Sequence, residues 1–459
     1  MIIMQQLSSR ATRDPAPSLR RKHRNSLLRL AAGLATLLAA TASQAGGYFI
    51  LGYGPYANQS AGTSTAIGMD GFAGASNPAK LTEADDRLDL GLIVFAPYRR
   101  IERTDAQVPA YNFASTSEND WFFLPEVGYV QHLNERWSVG LSIYGNGGLN
   151  TEYRDTTGIP GTNNNPGRCG NQPGNFFFGC GKLGFDLSQL IVAPTLAWKI
   201  NEKHSIGGAP LLAYQRLKMY GLQAFESLSQ TPNAVSNNGN DDTYGAGLRV
   251  GWFGNITPWL DMGLSYATRV YMDEFDKYRG LLADEGDFDI PENYSLGLAI
   301  KPSARWTIGL DIQRIRFGEI RALSNGVLNS IEDPAGKPLG SKNGSGFNWR
   351  STTRFKTAVA YEHTPALTLR AGFSYGERAQ RDDSADSVSF NLLAPNPIYQ
   401  VSAGFGWRIG EHHEFNASYS RYLKGTYSGP SASAALGIGG TERITPNVDQ
   451  FMFAYSRRF

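Results

Sequence analysis

The C-terminal end of the chain alternates: Phe451, Phe453, Tyr455 and Phe459 fall on one face, Gln450, Ala454 and Ser456 on the other. The same period of two recurs upstream. Tyr399, Val401, Ala403, Phe405, Trp407 and Ile409 oppose Gln400, Ser402, Gly404, Gly406 and Arg408, and Leu367, Leu369, Ala371, Phe373 and Tyr375 oppose Thr368, Arg370, Gly372 and Ser374. Alternation over about 9–11 residues with one apolar, aromatic face predicts strands that cross a bilayer. Short polar turns separate such runs at 132–136, 201–203, 257–258, 302–305, 364–365 and 410–413, and most of the next strands open on Trp or His followed by Gly. These read as hairpins. Longer segments, rich in polar residues, lie between them at 102–119, 151–185, 226–241, 281–288, 322–346, 381–394 and 427–445.

Six short turns and seven long loops link 14 strands, predicted to start near 86, 120, 136, 186, 203, 242, 258, 289, 305, 347, 366, 395, 411 and 446. Short turns on one side and long loops on the other are the layout of an antiparallel transmembrane β-barrel of the bacterial outer membrane, with both ends on the periplasmic side. The chain finishes on the aromatic Phe459, as barrel precursors that the assembly machinery handles do; Arg457 interrupts the apolar face at the membrane rim.

Composition agrees. Among 459 residues there are 52 Gly and 12% aromatics, with only 18% charged residues. The mean hydropathy of −0.32 looks soluble because lipid-facing and lumen-facing positions average out. Arg20, Arg21, Lys22, Arg24 and Arg29 precede an apolar run from Leu30 to Ala40, and Ser43-Gln44-Ala45 supplies small residues for cleavage. Residues 1–45 therefore read as a signal peptide, with initiation at Met1 or Met4. They carry seven Lys/Arg and one Asp, so the formal charge of +2 becomes −4 after removal. The near-neutral balance gives no nucleic-acid signal. In an exported chain, Cys169 and Cys180 are expected to form a disulfide.

Residues 46–85 form a separate unit, rich in Gly, Ser and Ala and ending in Asn77-Pro78-Ala79. Its small residues suit tight packing as a plug inside the barrel of residues 86–459. This plug, the strand count and an ordered set of segments resemble the FadL family of outer-membrane transporters for long-chain fatty acids and other hydrophobic compounds. Those segments are Phe123-Leu124-Pro125-Glu126, Gly147-Gly148-Leu149-Asn150-Thr151-Glu152-Tyr153, Asp186-Leu187 to Lys199, Ile290-Pro291-Glu292-Asn293-Tyr294 and Gly346-Phe347-Asn348-Trp349-Arg350. The resemblance implies a monomer and passive transport: capture by the external loops, a pocket above the plug, and sideways exit into outer-membrane lipid at a kink in the third strand. Gly145-Asn146-Gly147-Gly148 supplies a physical reason for such a kink, since glycine weakens strands and permits bulges.

A fatty-acid carboxylate needs a cation beside an apolar pocket. Alternation puts Arg249, Arg269, Lys356, Arg370 and Arg408 in the lumen, opposite the carboxylates Asp261, Asp311, Glu362 and Glu414; most are expected to fix plug to wall. Arg249 and Lys356 lie farther from the periplasmic turns than Arg408 and are the ligand candidates, joined by Tyr48 and Phe49 from the N-terminus, as the resemblance implies. Phe176-Phe177-Phe178 is either an external catcher or a loop core, and Leu436 with Ile438 forms a second patch. His132, His204, His363, His412 and His413 fall at periplasmic turns and His23 in the signal peptide, so no catalytic triad is expected, nor any metal site or cofactor. Long-chain fatty acids are the expected substrate, with aromatic or aliphatic hydrocarbons, or a general diffusion porin, as alternatives.

Overall fold

The computed structural model describes residues 47–154, 170–394, 397–423 and 425–459. The expected signal peptide lies outside them. The strands form one antiparallel sheet whose first and last members pair from Arg87↔Arg458 to Thr104↔Thr441, closing the ring. Fourteen strands build the wall: β1 Arg87–Thr104, β2 Phe122–His132, β3 Trp137–Tyr153, β4 Leu183–Asn201, β5 His204–Tyr220, β6 Asp241–Thr257, β7 Leu260–Ala267, β8 Asn293–Ser303, β9 Trp306–Ile315, β10 Thr352–Thr364, β11 Leu367–Gly376, β12 Tyr399–Ile409, β13 His413–Leu423 and β14 Thr441–Arg458. Phe113–Thr116, Tyr271–Met272 and Tyr427–Pro430 add short pairings at the external rim. Closure leaves no strand at the end of the sheet, which is what allows a β-sheet to sit in lipid.

The alternation read from sequence decides which way each side chain points. Along β1, Ile93 and Ile101 are buried while Leu90, Leu92 and Tyr98 face outward. Outward Leu, Ile, Val and Phe make the lipid-facing band. Aromatics border it near the short turns, where Trp137 stacks on Trp198 at 5.9 Å and Trp306 meets Tyr361 at 4.5 Å. Phe459 donates its backbone N–H to Asp86 O (3.0 Å), fixing the C-terminus beside the start of β1.

Inside lies the segment that precedes β1. A short helix, Gly54–Gln59, and two 3₁₀ turns, Ala73–Ala75 and Pro78–Glu83, are buried and touch inward residues all round the ring. Small residues make this possible: Gly71 and Gly128 approach so closely that a Cβ on either would lie under 3 Å from the other's backbone.

The long loops differ from their polar appearance in sequence. They fold into a packed cap whose buried Phe225, Phe275, Phe288, Phe317, Leu323 and Trp349 belong to the largest hydrophobic cluster of the protein. Apolar residues there follow neither strand nor helix period, so pattern reading does not register them. This also explains the late start of β10 at 352 rather than 347: Phe347 and Trp349 turn into the cap, where Trp349 Nε1 donates to Asn391 Oδ1 (2.7 Å). Of the Phe trio, Phe176 and Phe177 are buried in the loop core, Phe178 is half-buried, and Phe177 and Phe178 also line an outer groove.

Candidate functional site

Among the described residues, the seam between β2 and β3 is left open for much of the length of β3. β2 pairs with β3 only from His132↔Ser138 to Val127↔Ile143. Beyond that point β2 continues beside β1, reaching Phe122↔Phe95, while β3 continues beside β4 to Tyr153↔Leu183. Contact resumes near the external rim, where Glu118 N–H donates to Glu152 O (2.9 Å) and Glu152 N–H to Ser117 Oγ (3.1 Å). The result is a window along β3 from Tyr144 to Thr151.

Its cause is local. The β3–β4 register shifts between Gly145 and Gly147, so Asn146 is the extra residue of a bulge. Bulging leaves backbone groups unpaired, and buried ones need partners. The N-terminal segment supplies them: Ile50 N–H donates to Asn146 O (3.1 Å), Gly148 N–H donates to Tyr48 O (3.2 Å), and Phe49 bridges Gly147. A Cβ at Gly147 would lie 2.2 Å from Tyr48 O, so only glycine permits this approach. The Asn146 side chain points inward, accepting from Tyr53 Oη (3.0 Å) and donating to Gln189 Oε1 (2.8 Å). Gln189 in turn donates to Gln215 Oε1 (3.0 Å), a chain of amides that fixes the bulge.

The window opens on a cavity of about 150 Å³ above the plug. Tyr48, Phe49, Phe95, Phe122, Leu124, Leu149, Leu393 and Tyr422 give it apolar walls; Asn150, Thr151, Ser188 and Gln189 are polar, and Arg99 of β1 and Arg354 of β10 are charged. Tyr48 and Phe49 pack against Phe317 at ring-centre distances of 5.6 and 5.5 Å, the Phe49 ring edge-on, and burial raises the Tyr48 hydroxyl above its ordinary value. This segment ahead of the plug helix is thus both a wall of the cavity and the inner cover of the window. Tyr48→Ala removes most of that wall and is expected to enlarge the cavity and raise uptake of bulkier substrates relative to small ones, read from competition between substrates of graded size.

Arg249 and Lys356 are placed elsewhere. Arg249 Nη1 donates to Gly74 O (2.9 Å) and Tyr144 Oη (3.2 Å), and Lys356 Nζ donates to Gly62 O (3.0 Å). Both tie plug to wall and line a separate pocket of about 40 Å³. The cations that reach the apolar cavity, Arg99 and Arg354, were legible from parity alone. Arg99 shares the inward face of β1 with Ile93 and Phe95, and Arg354 lies two residues from Lys356 on the same face of β10.

Asn77 of the Asn77-Pro78-Ala79 motif joins plug and wall. Its Oδ1 accepts from Ala79 N–H (3.2 Å), starting the 3₁₀ turn, and its Nδ2 donates to Thr65 O (3.0 Å) and Trp252 O (2.9 Å). Buried Lys80 donates to Ile67 O (2.8 Å) and Gly68 O (2.9 Å) within the plug. Asn77→Ala strands three partners at about 1 kcal/mol or more each, and we expect a lower melting temperature with β-content retained.

Outside the cap, Tyr111, Phe177, Phe178, Phe225, Phe390 and Leu436 line an open apolar groove of about 460 Å³. Cys180 is buried and disulfide-bonded; Cys169, its expected partner, lies outside the described residues. Between groove and inner cavity, Thr151 Oγ1 donates to Leu393 O (3.1 Å) and Tyr153 Oη to Leu392 O (3.0 Å).

The sequence model of a family described as "Outer membrane protein transport protein (OMPP1/FadL/TodX)" matches residues 181–454. No curated protein sequence matches the chain. Among solved structures, the Pseudomonas putida toluene transporter TodX is similar at 17% identity and a TM-score of 0.63, over 89% of this chain and 99% of that one. A Pseudomonas aeruginosa FadL homologue gives 16%, 0.64, 90% and 100%, and the Ralstonia pickettii toluene transporter TbuX 18%, 0.59, 89% and 98%. At these identities the likeness concerns the fold.

Proposed function

The chain belongs to the OMPP1/FadL/TodX family of outer-membrane transport proteins, and from that premise we propose that it passes compact hydrophobic molecules from its external groove into the cavity above the plug and out through the β2–β3 window into the bilayer. The observation that carries this reading is the unpaired window opening directly on an apolar cavity. The floor of the barrel supports it. Below the plug lies a chamber of about 310 Å³ lined by six acidic and six basic side chains, Glu414 and Arg458 among them. A single-ring hydrocarbon of roughly 200 Å² would lose about 5 kcal/mol by entering such water-filled, charged space, and sideways exit avoids that loss. No energy-coupling element is required, because the substrate moves down its own gradient into lipid.

Size favours a compact substrate over the long-chain fatty acids expected from the resemblance. A cavity of about 150 Å³ is known to hold one benzene ring, whereas pockets for larger ligands run to about 300 Å³ and beyond. The names of TodX and TbuX, toluene transporters, agree with that scale. A general diffusion porin is a poorer reading, since the plug fills the lumen. Uptake of labelled toluene and of labelled oleate, by cells lacking their own transporter and expressing this chain, tests the assignment. Toluene uptake exceeding oleate uptake supports it. Preference for oleate returns the substrate to long-chain fatty acids, and uptake of neither removes the transport reading.

A further inference from the structure

We infer that Arg99 makes the inner cavity a site for compact apolar acids, a ring or short alkyl body bearing one carboxylate, in preference to neutral hydrocarbons of the same shape. The inference rests on the transport reading and names the chemistry of its substrate.

A cavity built only for hydrocarbons gains nothing from a buried guanidinium, since removing that charge from water is costly unless it meets a compensating group. Arg99 is 6% exposed and lines the cavity together with Phe95, Phe122 and Leu124. Its protein contacts leave that charge uncompensated. The guanidinium donates to the backbone carbonyl of Asn119 and lies over the Phe122 ring at 5.8 Å, while its Nε is buried with no hydrogen-bond partner. Among the described residues no carboxylate lies within ion-pair distance of it; Asp120 acts on it only from farther away. Two other buried lumen arginines do meet carboxylates, Arg87 holding Asp89 at 2.8 Å and Arg103 holding Glu442 at 2.7 Å, whereas Arg249 is spent on Gly74 O and Tyr144 Oη between plug and wall. Arg354, 2% exposed, brings a second guanidinium to the same cavity. A planar carboxylate is the partner that a guanidinium fork accepts with two parallel bonds. With a volume suited to one ring, the fitting ligand is an alkylbenzoate or a short branched acid.

The test uses the full mature barrel in proteoliposomes and two probes of matched shape, 4-ethylbenzoate and 4-ethyltoluene, near neutral pH. Wild type is expected to take up the acid, and Arg99→Gln to lose about tenfold or more of acid uptake relative to the hydrocarbon, a discrimination of the size one charged hydrogen-bonded contact gives. Arg99→Lys should restore part of it, which a merely structural arginine would not show. Arg354→Gln provides the second reading if Arg99→Gln fails to assemble. An acid-to-hydrocarbon ratio unchanged by Arg99→Gln, or by Arg354→Gln in its place, overturns the inference. Blocking the window with Gly145→Trp separates the two ideas. Loss of hydrocarbon uptake there, with an unchanged ratio in the arginine variants, keeps lateral transport and removes only the acid preference. Uptake of both probes indifferent to Gly145→Trp removes the transport reading itself.

Discussion

Gly145→Trp will lower uptake through this barrel by about tenfold or more, equivalent to roughly 1.4 kcal/mol or more on the barrier, while the protein still folds and inserts. The geometry separates blocking from unfolding. A Cβ at Gly145 meets nothing nearer than Leu124 Cδ2 at 3.8 Å, Gln189 O at 3.9 Å and Ile50 Cδ1 at 4.0 Å, which are ordinary contacts. The space beyond is the window, and an indole fills it. Gly148 offers the contrast: a Cβ there would lie 2.5 Å from Leu187 O in the neighbouring strand, so substitution strains the wall itself. We expect Gly145→Trp to migrate as folded protein in unheated gel samples and to be inactive in substrate uptake. Gly148→Trp is expected to lose both.

The second large effect concerns the plug. Asp311 on β9 accepts hydrogen bonds from Ser64 N–H (2.8 Å), Thr65 N–H (2.9 Å) and Thr65 Oγ1 (2.9 Å). Its register partner Lys356 holds Gly62 O from β10. One carboxylate therefore fixes the middle of the plug to the wall. Asp311→Ala leaves two backbone N–H groups without an acceptor, at about 1–3 kcal/mol each when buried. The plug should then leave its seat often enough for ions to pass, and single-channel conductance in planar bilayers is expected to rise severalfold. Asp311→Asn keeps an acceptor and should show a smaller rise. Unchanged conductance in Asp311→Ala would mean that the plug is held by its other contacts, chiefly Asn77 and Arg249.

The wall was legible in sequence because a transmembrane strand obeys one rule along its whole length. Alternation at Tyr399–Ile409 and Phe451–Phe459 places these residues as the structure does, and the hairpin turns follow from short polar breaks. The bulge at Gly145–Gly148 was legible as a weakness, but not that Tyr48 and Ile50 would supply its missing hydrogen bonds, since such pairing joins segments about a hundred residues apart and carries no local pattern. The loop cap was illegible for a related reason: Phe225, Phe275, Phe317 and Trp349 come together from different loops with no period to announce them. Among the charged residues, inward parity was readable, but whether a cation faces plug or cavity depends on height within the lumen. That is why Lys356 and Arg354, two residues apart, have different neighbours.

Photocrosslinking during transport decides whether substrate leaves the barrel sideways. A toluene analogue bearing a diazirine would be flashed during transport through the wild-type barrel and the labelled peptides sequenced. Lateral passage predicts labels on the window and cavity residues, Phe122, Leu124 and Gly145 to Leu149, with adducts on surrounding lipid. Labels concentrated below the plug, on Ile67, Met69, Thr307 or Ala360 of the charged chamber, would show passage straight through the lumen and contradict it.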